Sequence, residues 1–414
     1  MTLDVAIIGG GPAGAVCAAR LASLGRRVVV LERDRHPRFH LGESLLPNSL
    51  GVLQAIGVLD EVRSRFLVKR GARFVDGADA RRSARYPFSE AFHAKWDHAF
   101  QVPRDQFDEL LFRRAGACGA ELREGWEATR VVLDGTRAVG VDARAPDGRV
   151  EAIAARFVVD ASGRDAFIAR GARDVERMAY LDRTALFMQV RGAWRDEGER
   201  EGDIQIVVFG AGEERGWFWL IPFADGRTSV GAVVSSAWIR ARRALGGPEA
   251  LFDAALAESP TVGGMLAGAE RLFPPRATAD FSFRVRTIRG DGWLALGDAT
   301  GFIDPLFSTG AHLAMYSALR AAGAIDEALR TGDAGARQFD AWDTEIRAGA
   351  DLFLGAVQAF YAGELVSYLF ADPQHPFLRH AITSLLAGDV FDKNARWVKE
   401  MRTRFPARLN AESR

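Results

Sequence analysis

The chain opens with two short apolar runs separated by small residues. Val5–Ile8 is the first run, a glycine-rich stretch follows, Pro12–Leu24 carries mostly small side chains, and Arg27–Glu32 contains the second run. Short apolar runs bounded by turn residues are typical of strands buried on both faces, and the segment between them has helical length. The pattern predicts a strand, a turn, a helix and a parallel strand, which together form a βαβ unit.

The rest of the chain predicts a mixed α/β protein. Pro103–Gly116 has apolar residues at helical spacing, and the chain from Ala311 onward has the pattern of successive helices. Ser282–Arg286 is expected to pair with the strands of the central region. The strands that the pattern predicts are Glu121–Ala145 around a turn at Asp134-Gly135, Phe157–Asp160, Ala185–Val190, Asp203–Phe209, Trp217–Pro222, Thr228–Val234 and Trp293–Leu296.

Composition narrows the function classes. The chain has 414 residues, 48% of them hydrophobic and 26% charged, which is typical of a globular protein with more than one domain. Lys plus Arg and Asp plus Glu both number 54, so no net positive charge favours binding to nucleic acid or an acidic membrane. No apolar stretch is long enough to span a bilayer, and Cys17 and Cys118 make neither a disulfide framework nor a metal cluster. We therefore expect a cytoplasmic protein with no metal, no nucleic-acid partner and no membrane partner.

The glycine-rich stretch has the spacing of a dinucleotide-binding turn. Residues 9–14 read Gly-Gly-Gly-Pro-Ala-Gly, which fits G-x-G-x-x-G between a strand and a helix. In such a turn the first glycine allows the bend, the second lets a pyrophosphate approach the backbone, and the third lets helix and strand pack closely. An acidic residue at the end of the second strand accepts hydrogen bonds from a ribose. The residues predicted to bind the dinucleotide here are Gly9, Gly11, Pro12, Ala13, Gly14, Glu32 and Arg33.

A second element, late in the chain, indicates which dinucleotide binds. The apolar strand that begins at Trp293 ends in Gly297-Asp298, and together with the glycine turn and Arg104 it resembles the FAD proteins of the aromatic hydroxylase type. That resemblance implies that Asp298 holds the ribityl chain and that Arg104 lies near the adenosine-side phosphates. The alternative for Asp298 is an ordinary helix N-cap. No second nucleotide fingerprint is found, because Arg215 stands where the third glycine of a later Gly-x-Gly pattern would be.

Two further motifs favour a particular chemistry. Residues 216–222 contain W-x-W-x-I-P, and in a strand Trp217 and Trp219 point the same way and form one indole wall. The alternative is an aromatic stripe of the core. Residues 302–310 fit F-x-x-P-x-x-S-x-G, a turn that leads into a helix and can present N–H groups to an anion.

The motifs together resemble those of the flavin-dependent halogenases, the superfamily of the tryptophan halogenases and their phenol- and pyrrole-directed relatives. The stretches at residues 42–47 and 384–389 resemble the members that act on phenolic or carrier-bound substrates. The resemblance implies an α/β fold with a Rossmann-like FAD-binding domain, an inserted β-rich substrate domain and a helical C-terminal region. The domains expected are residues 1–175 with a substrate-side insert at about 65–100, the substrate domain at 176–290, the return to the FAD domain at 291–330, and the helical region at 331–414.

The resemblance also implies cofactors, partners and residue roles. Reduced FAD, supplied by a separate flavin reductase, reacts with O2 and chloride or bromide to give hypohalous acid, which a lysine directs onto a small arene that is free or tethered to a carrier protein. Thr309 and Gly310 would bind the halide through backbone N–H groups, and Trp217 and Trp219 would separate the flavin from the substrate. Ser308 is assigned to the catalytic motif. Pro305, Gly310 and Ala311 would lie against the flavin.

Lys69 is the candidate for the oxidant-directing lysine. It precedes an x-G-A segment that resembles the corresponding family segment, and it is one of only four lysines in an arginine-rich chain. An amine can form a chloramine or donate a hydrogen bond to hypohalous acid, whereas a guanidinium cannot form the chloramine. The alternative is an ordinary surface lysine.

One position departs from the tryptophan halogenases. They carry a glutamate immediately before the serine of the F-x-x-P motif, and this chain has Phe307 there. Phenylalanine can neither stabilise a cationic intermediate nor take its proton, so an electron-rich phenol or pyrrole is expected in place of free tryptophan. Two alternatives stay open: an FAD-dependent monooxygenase or reductase of the same fold that does not halogenate, and a flavin-binding protein without catalytic activity.

Overall fold

The computed structural model describes residues 2–279 and 281–408. The α-helices are Pro12–Ser23, Ser49–Ala55, Leu59–Arg65, Arg104–Ala117, Phe167–Gly171, Ser236–Arg242, Pro248–Ala257, Pro260–Met265, Thr309–Thr331, Asp340–Ala362, Glu364–Leu369, Pro376–Leu386 and Arg396–Arg404. The strands are Leu3–Ile8, Val28–Glu32, Leu67–Lys69, Gly71–Asp76, Ser83–Pro87, Ala99–Gln101, Glu121–Glu124, Glu127–Asp134, Arg137–Arg144, Val150–Asp160, Val175–Arg177, Arg183–Arg191, Ile204–Phe209, Gly216–Pro222, Arg227–Ser235, Glu270–Arg271, Arg276–Ala279, Phe283–Val285, Arg289–Gly290, Trp293–Ala295 and Gly301–Phe302.

The first strand lies inside a parallel sheet. Leu3–Ile8 pairs in parallel with Val28–Glu32 on one side and with Val150–Asp160 on the other. Two more parallel strands extend the sheet, one on each side: Glu121–Glu124 pairs with Val28–Glu32, and Trp293–Ala295 pairs with Val150–Asp160. Because both faces of the sheet are covered, the inner strands are continuous apolar runs, and the predicted βαβ unit is confirmed.

A second, mixed sheet lies beside the parallel sheet. Its central antiparallel strands are Arg183–Arg191, Arg227–Ser235, Gly216–Pro222 and Ile204–Phe209, in that order. Gly71–Asp76 then pairs in parallel with Ile204–Phe209, so the segment that carries Lys69 leads directly into this sheet. One face of the sheet packs on the main core and the other on a smaller apolar cluster that includes Trp238 and Phe252.

One predicted strand pairing is wrong. Phe283–Val285 does not join the mixed sheet, but forms a small separate sheet with Val175–Arg177 and Gly301–Phe302. The pairing depends on which strands the folded chain brings next to this segment. Strand propensity alone does not predict that. The predicted helical tail is present from Thr309 to Arg404, and its residues 409–414 lie outside the described residues. The predicted domain boundaries stay predictions.

Two helices and one turn meet at Gly297. This glycine has a φ of +57°, and a Cβ added to it would lie 3.2 Å from the Cβ of Ala13 and 3.0 Å from the Cβ of Ala314. Ala13 belongs to the helix after the glycine turn, and Ala314 to the Thr309–Thr331 helix. The glycine turn, Asp298 and the start of the later helix are therefore held close together by the packing of Gly297 against two alanine methyl groups.

Gly14 provides a test of this packing. A Cβ at Gly14 would lie 1.9 Å from the carbonyl oxygen of Gly9, so the helix would have to move off the first strand. We expect Gly14→Ala to lower the free energy of unfolding by about 3 kcal/mol or more, at the upper end of overpacking costs. Gly323→Ala, at an exposed helical position with open space around it, is the control and is expected to stabilise by up to about 1 kcal/mol. Urea unfolding measures both, and equal stability of Gly14→Ala and the wild type would contradict the prediction.

Candidate active site

The carboxylate of Glu32 accepts two backbone hydrogen bonds, one of them from the glycine turn. The Gly10 N–H donates to Oε2 of Glu32 at 2.7 Å, and the N–H of Asp34 donates to Oε1 at 2.9 Å. Gly9 has a φ of +100°, a conformation that glycine adopts without steric cost. A Cβ at Gly11 would contact only the guanidinium of Arg38, at 3.5 Å, so the turn leaves space over Gly11 for a phosphate to approach.

The charged residues around this turn pair with one another. Arg104 donates to both oxygens of the Asp108 carboxylate at 2.6 and 2.9 Å, and its Nη1 donates to the carbonyl of Leu41 at 2.6 Å. Arg38 bridges Asp108 and Glu32 at 3.4 and 3.5 Å. Arg33 instead forms an exposed ion pair with Asp165. Contacts of Glu32, Arg33 and Arg104 with FAD stay predictions, and Arg104 is positioned as a support for residues 41–42.

Asp298 lies beside the start of the later helix, as the late Gly-Asp motif predicts. Its carboxylate lines a cavity together with Thr309 and Gly310, and a Cβ at Gly310 would lie 3.9 Å from its Oδ1. Burial raises the pKa of Asp298 to about 6, against the nearby charges of Arg104 and Arg164. Within the described part of the chain no donor occupies this carboxylate, which leaves it available to a ligand hydroxyl.

The F-x-x-P motif forms a tight turn that ends in an unusual backbone conformation. Pro305–Phe307 is a 3₁₀ turn, and Ser308 follows with φ 56° and ψ 32°. Left-handed backbone is uncommon for residues other than glycine and is found where the surroundings impose it. The 23-residue helix begins at Thr309, so the N–H groups of its first turn have no partner within the helix. Free N–H groups at the start of a helix suit the binding of an anion.

Both tryptophans of the W-x-W motif are buried and held by hydrogen bonds. Their ring centroids are 5.9 Å apart, and both side chains lie on the face of the mixed sheet that packs on the main core. Nε1 of Trp219 donates to Oγ of Ser229 at 3.1 Å, and Nε1 of Trp217 donates to the hydroxyl of Tyr361 at 3.0 Å. The Trp219 indole lies against Gly231 on the neighbouring strand, where a Cβ would be 2.2 Å from the ring.

Lys69 is a buried lysine. Its side chain is 1% exposed, its Nζ donates to the carbonyl of Leu45 at 3.0 Å, and the ammonium lies 5.1 Å from the centre of the Phe88 ring. Burial lowers the pKa of Lys69 to about 7, opposed by the negative charge of Asp203. The surface-lysine interpretation is therefore wrong, while the catalytic role stays a prediction.

Residues 41–45 connect these groups. The carbonyls of Leu41 and Leu45 accept from Arg104 and Lys69, respectively, and the carbonyl of Glu43 accepts from the N–H of Val102. The Glu43 carboxylate is buried and accepts from Gln189 at 3.1 Å, and burial raises its pKa to about 7. This segment links the Arg104 side of the site to Lys69.

Sequence reasoning missed three buried polar residues of the site. Glu43 lies in a motif noted for its resemblance, but without a role assigned. Asp304 lies at a variable position of the F-x-x-P motif, and Tyr361 lies in a helix that carries no motif. In the structure the Tyr361 hydroxyl donates a hydrogen bond to Oδ2 of Asp304 at 2.9 Å. Of these three residues, only Asp304 could have been found from sequence. An aspartate that begins a turn frequently accepts a hydrogen bond from a backbone N–H of that turn.

The described residues contain neither a metal-binding cluster nor a membrane-spanning helix. No group of histidine, cysteine, aspartate and glutamate side chains within residues 2–279 and 281–408 could hold a metal ion. No helix in the same ranges is long and apolar enough to cross a membrane.

Comparison with known proteins assigns the family. The model of the family described as tryptophan halogenase matches residues 4–97 and 78–364. The chain belongs to this family. It is thus an FAD-dependent enzyme of the flavin-dependent halogenase kind, which uses FAD and halide, and the sequence-based expectation of family and enzyme class is confirmed.

Two curated relatives are similar to this chain over most of their length. The 1H-pyrrole-2-carbonyl-[peptidyl-carrier protein] brominase of Pseudoalteromonas luteoviolacea is 31% identical over 94% of this chain and 92% of its own. The corresponding chlorinase of Pseudomonas fluorescens is 31% identical over 94% of this chain and 89% of its own.

Solved structures confirm the predicted fold class of this chain. A flavoprotein/dehydrogenase from Cytophaga hutchinsonii superposes with a TM-score of 0.90 and 32% identity, covering 98% of this chain and 97% of the other. The flavin-dependent brominase Bmp2 superposes with a TM-score of 0.87 and 27% identity, covering 98% of each chain. The fold is the mixed α/β, Rossmann-like FAD-binding fold of these proteins.

A substitution at Gly11 is expected to test FAD binding without disturbing the fold. Because a Cβ there contacts only the end of the Arg38 side chain, at an ordinary van der Waals distance, we expect Gly11→Val to fold but to bind FAD at least tenfold more weakly, since the side chain fills the phosphate space. Titration of the apoprotein with FAD, followed by flavin fluorescence, measures the affinity. The control is Gly323→Val, and unchanged FAD affinity in Gly11→Val would contradict the prediction.

The buried amine of Lys69 makes stability depend on pH. Its pKa is about 7 in the folded protein and near 10.5 when exposed, so the unfolded chain binds the extra proton between these values. The free energy of unfolding of the wild type should therefore rise with pH in this window, relative to Lys69→Met, by up to about 1.4 kcal/mol per pH unit. Urea unfolding of both proteins at pH 7, 8 and 9 measures the difference. Parallel pH dependences would show that Lys69 is not a buried amine.

Proposed function

We propose that this protein is an FADH2-dependent halogenase that forms hypohalous acid from O2 and chloride or bromide and directs it onto an electron-rich arene through Lys69. The observation that carries the proposal is a lysine buried at 1% exposure, joined by Leu45 to the segment that also contacts Arg104. A buried amine without a carboxylate in direct contact has little structural use, because its desolvation is unfavourable.

The residues present fit FAD. The open space over Gly11 would receive the pyrophosphate, and the available carboxylate of Asp298 would accept from the ribityl hydroxyls. Bound reduced FAD supplies the electrons that activate O2 toward halide. We infer that the FADH2 comes from a separate flavin reductase, because the sequence has no second nucleotide fingerprint.

The protein's own contribution at the halide is electrostatic. The N–H groups of Thr309 and Gly310 lie in the first turn of a 23-residue helix, where partial positive charge favours an anion. Trp217 and Trp219 form a wall without free donors, since both indole N–H groups are occupied. Such a wall excludes the substrate from the flavin and leaves the small oxidant as the species that moves.

Lys69 would receive that oxidant. A pKa of about 7 leaves roughly half of the amine neutral at pH 7, which a chloramine requires. The protonated fraction can donate a hydrogen bond to hypohalous acid. Arginine offers only the second possibility, because it stays protonated at any physiological pH.

The substrate class follows from Phe307 and the relatives. Phe307 is buried and cannot act as a base, so the arene itself must be electron-rich, as a phenol or a pyrrole is. The two curated relatives act, by name, on a pyrrole-2-carbonyl group attached to a peptidyl carrier protein. We infer that a carrier-tethered substrate is the first to be tested here.

A second candidate is an FAD oxidoreductase that does not halogenate. The superposition on a protein named flavoprotein/dehydrogenase favours it. Anaerobic mixing with NADH or NADPH distinguishes the two, because a halogenase fed by a separate reductase should be reduced slowly. Rapid stoichiometric reduction of bound FAD, with no halogenated product in bromide, would support the oxidoreductase.

Substitutions of Lys69 test the proposed route of the oxidant. Lys69→Ala should consume FADH2 and release peroxide or hypohalous acid while forming at least a hundredfold less halogenated product, since the relay is lost. Lys69→Arg separates the two mechanisms: full loss indicates a chloramine, and retained product indicates hydrogen bonding. Product per FADH2 oxidised is measured by mass spectrometry on free and carrier-bound phenols and pyrroles.

The matched control is Lys95→Ala, which removes an exposed lysine and should leave the product yield unchanged. A wild-type yield in Lys69→Ala would refute the assignment of Lys69.

A further inference from the structure

A buried network joins the two motifs that flank the proposed halide site. Tyr361 stands at its centre: its hydroxyl donates to Oδ2 of Asp304 at 2.9 Å and accepts from Nε1 of Trp217 at 3.0 Å. Trp217 belongs to the tryptophan wall and Asp304 to the turn that leads to Thr309. Each of these three side chains is less than a tenth exposed.

Asp304 controls the shape of that turn. Its Oδ1 accepts from the N–H of Leu306 at 2.9 Å and so caps the 3₁₀ turn Pro305–Phe307. The next residue, Ser308, adopts the left-handed conformation that aims the first N–H groups of the helix. The orientation of the Asp304 carboxylate therefore sets the position of the backbone that would bind the halide.

Tyr361 is itself fixed from two sides. Nη1 of Arg215 donates to the carbonyls of Phe360 and Tyr361 at 3.1 and 2.7 Å, which holds the end of the helix against the mixed sheet. The guanidinium of Arg183 lies 3.8 Å from the centre of the Tyr361 ring. Burial and the neighbouring Asp304 raise the pKa of Tyr361 well above its usual range, so the hydroxyl keeps its proton and always has one to donate.

We propose that Tyr361 is a positioning residue that holds the Asp304 turn and the Trp217 indole in one arrangement and so sets the affinity of the halide site. The inference rests on the proposed function, because it takes the N–H groups of Thr309 and Gly310 as that site. Neither Tyr361 nor Asp304 contacts the halide in this scheme. A phenylalanine would keep the ring under Arg183 but leave Oδ2 of Asp304 and Nε1 of Trp217 buried without partners, which favours rearrangement of both.

The test measures halide affinity directly. FAD-loaded Tyr361→Phe is titrated with bromide while the flavin fluorescence is followed, and the half-saturating bromide concentration of turnover is measured alongside. We expect both concentrations to rise about tenfold, the peroxide released per FADH2 to increase, and the FAD affinity to stay within twofold of the wild type. Unchanged bromide dependence would overturn the inference, even if the variant melts at a lower temperature.

Two further variants separate positioning from general stability. Tyr316→Phe removes another tyrosine-to-carboxylate hydrogen bond, from Tyr316 to Glu345 at 2.7 Å, and should leave the bromide dependence unchanged. Asp304→Asn weakens the shared link from the other side, so the loss in the double variant Tyr361→Phe/Asp304→Asn should be smaller than the sum of the two single losses, with the remainder coming from Trp217. Fully additive losses would show that Tyr361 and Asp304 act independently and would refute the proposal.

Failure of the proposed function can be distinguished from failure of the role of Tyr361. If the wild type shows neither a bromide-dependent signal nor a brominated product, the proposed function fails. If the wild type shows both and Tyr361→Phe behaves identically, only the role of Tyr361 fails.

Discussion

The site depends on close backbone packing at Gly297. Any side chain there would separate the helix that follows the glycine turn from the helix that begins at Thr309, because Ala13 and Ala314 leave no room between them. Three features are thereby brought to one place: the glycine turn, the carboxylate of Asp298 and the proposed halide turn. Their relative positions are fixed by contact between a glycine and two alanines, whose methyl groups have no rotamers, and such contact is stiffer than contact between long side chains.

Local motifs explain why much of this arrangement could be predicted from sequence. The glycine turn, Asp298 and the F-x-x-P turn each lie at a strand end or a helix start, and their proposed roles follow from backbone geometry within a few residues. The strand period likewise predicted that Trp217 and Trp219 share a face, and the structure has both on the core side of the mixed sheet. Short-range rules were sufficient for these elements.

The features that were not predicted depend on contacts between distant parts of the chain: the contacts that bury Lys69, itself a predicted site residue, and the residues Tyr361 and Asp304. Lys69 is buried because the segment at Leu45 and the ring of Phe88 cover it, and no pattern near Lys69 reports this. Tyr361 and Asp304 meet only when the end of a long helix packs on the mixed sheet. The wrong pairing expected for Phe283–Val285 has the same origin, since its partners are set by the return of the chain to the parallel sheet.

The left-handed conformation of Ser308 has a consequence for how an anion is received. A non-glycine residue in this region costs of order 1 kcal/mol, and the folded protein supports that strain through the capped turn before it and the long helix after it. The N–H groups that follow are consequently preorganised. At the proposed halide site an arriving ion would exchange its hydration shell for donors that are already oriented, so little conformational entropy would be lost on binding.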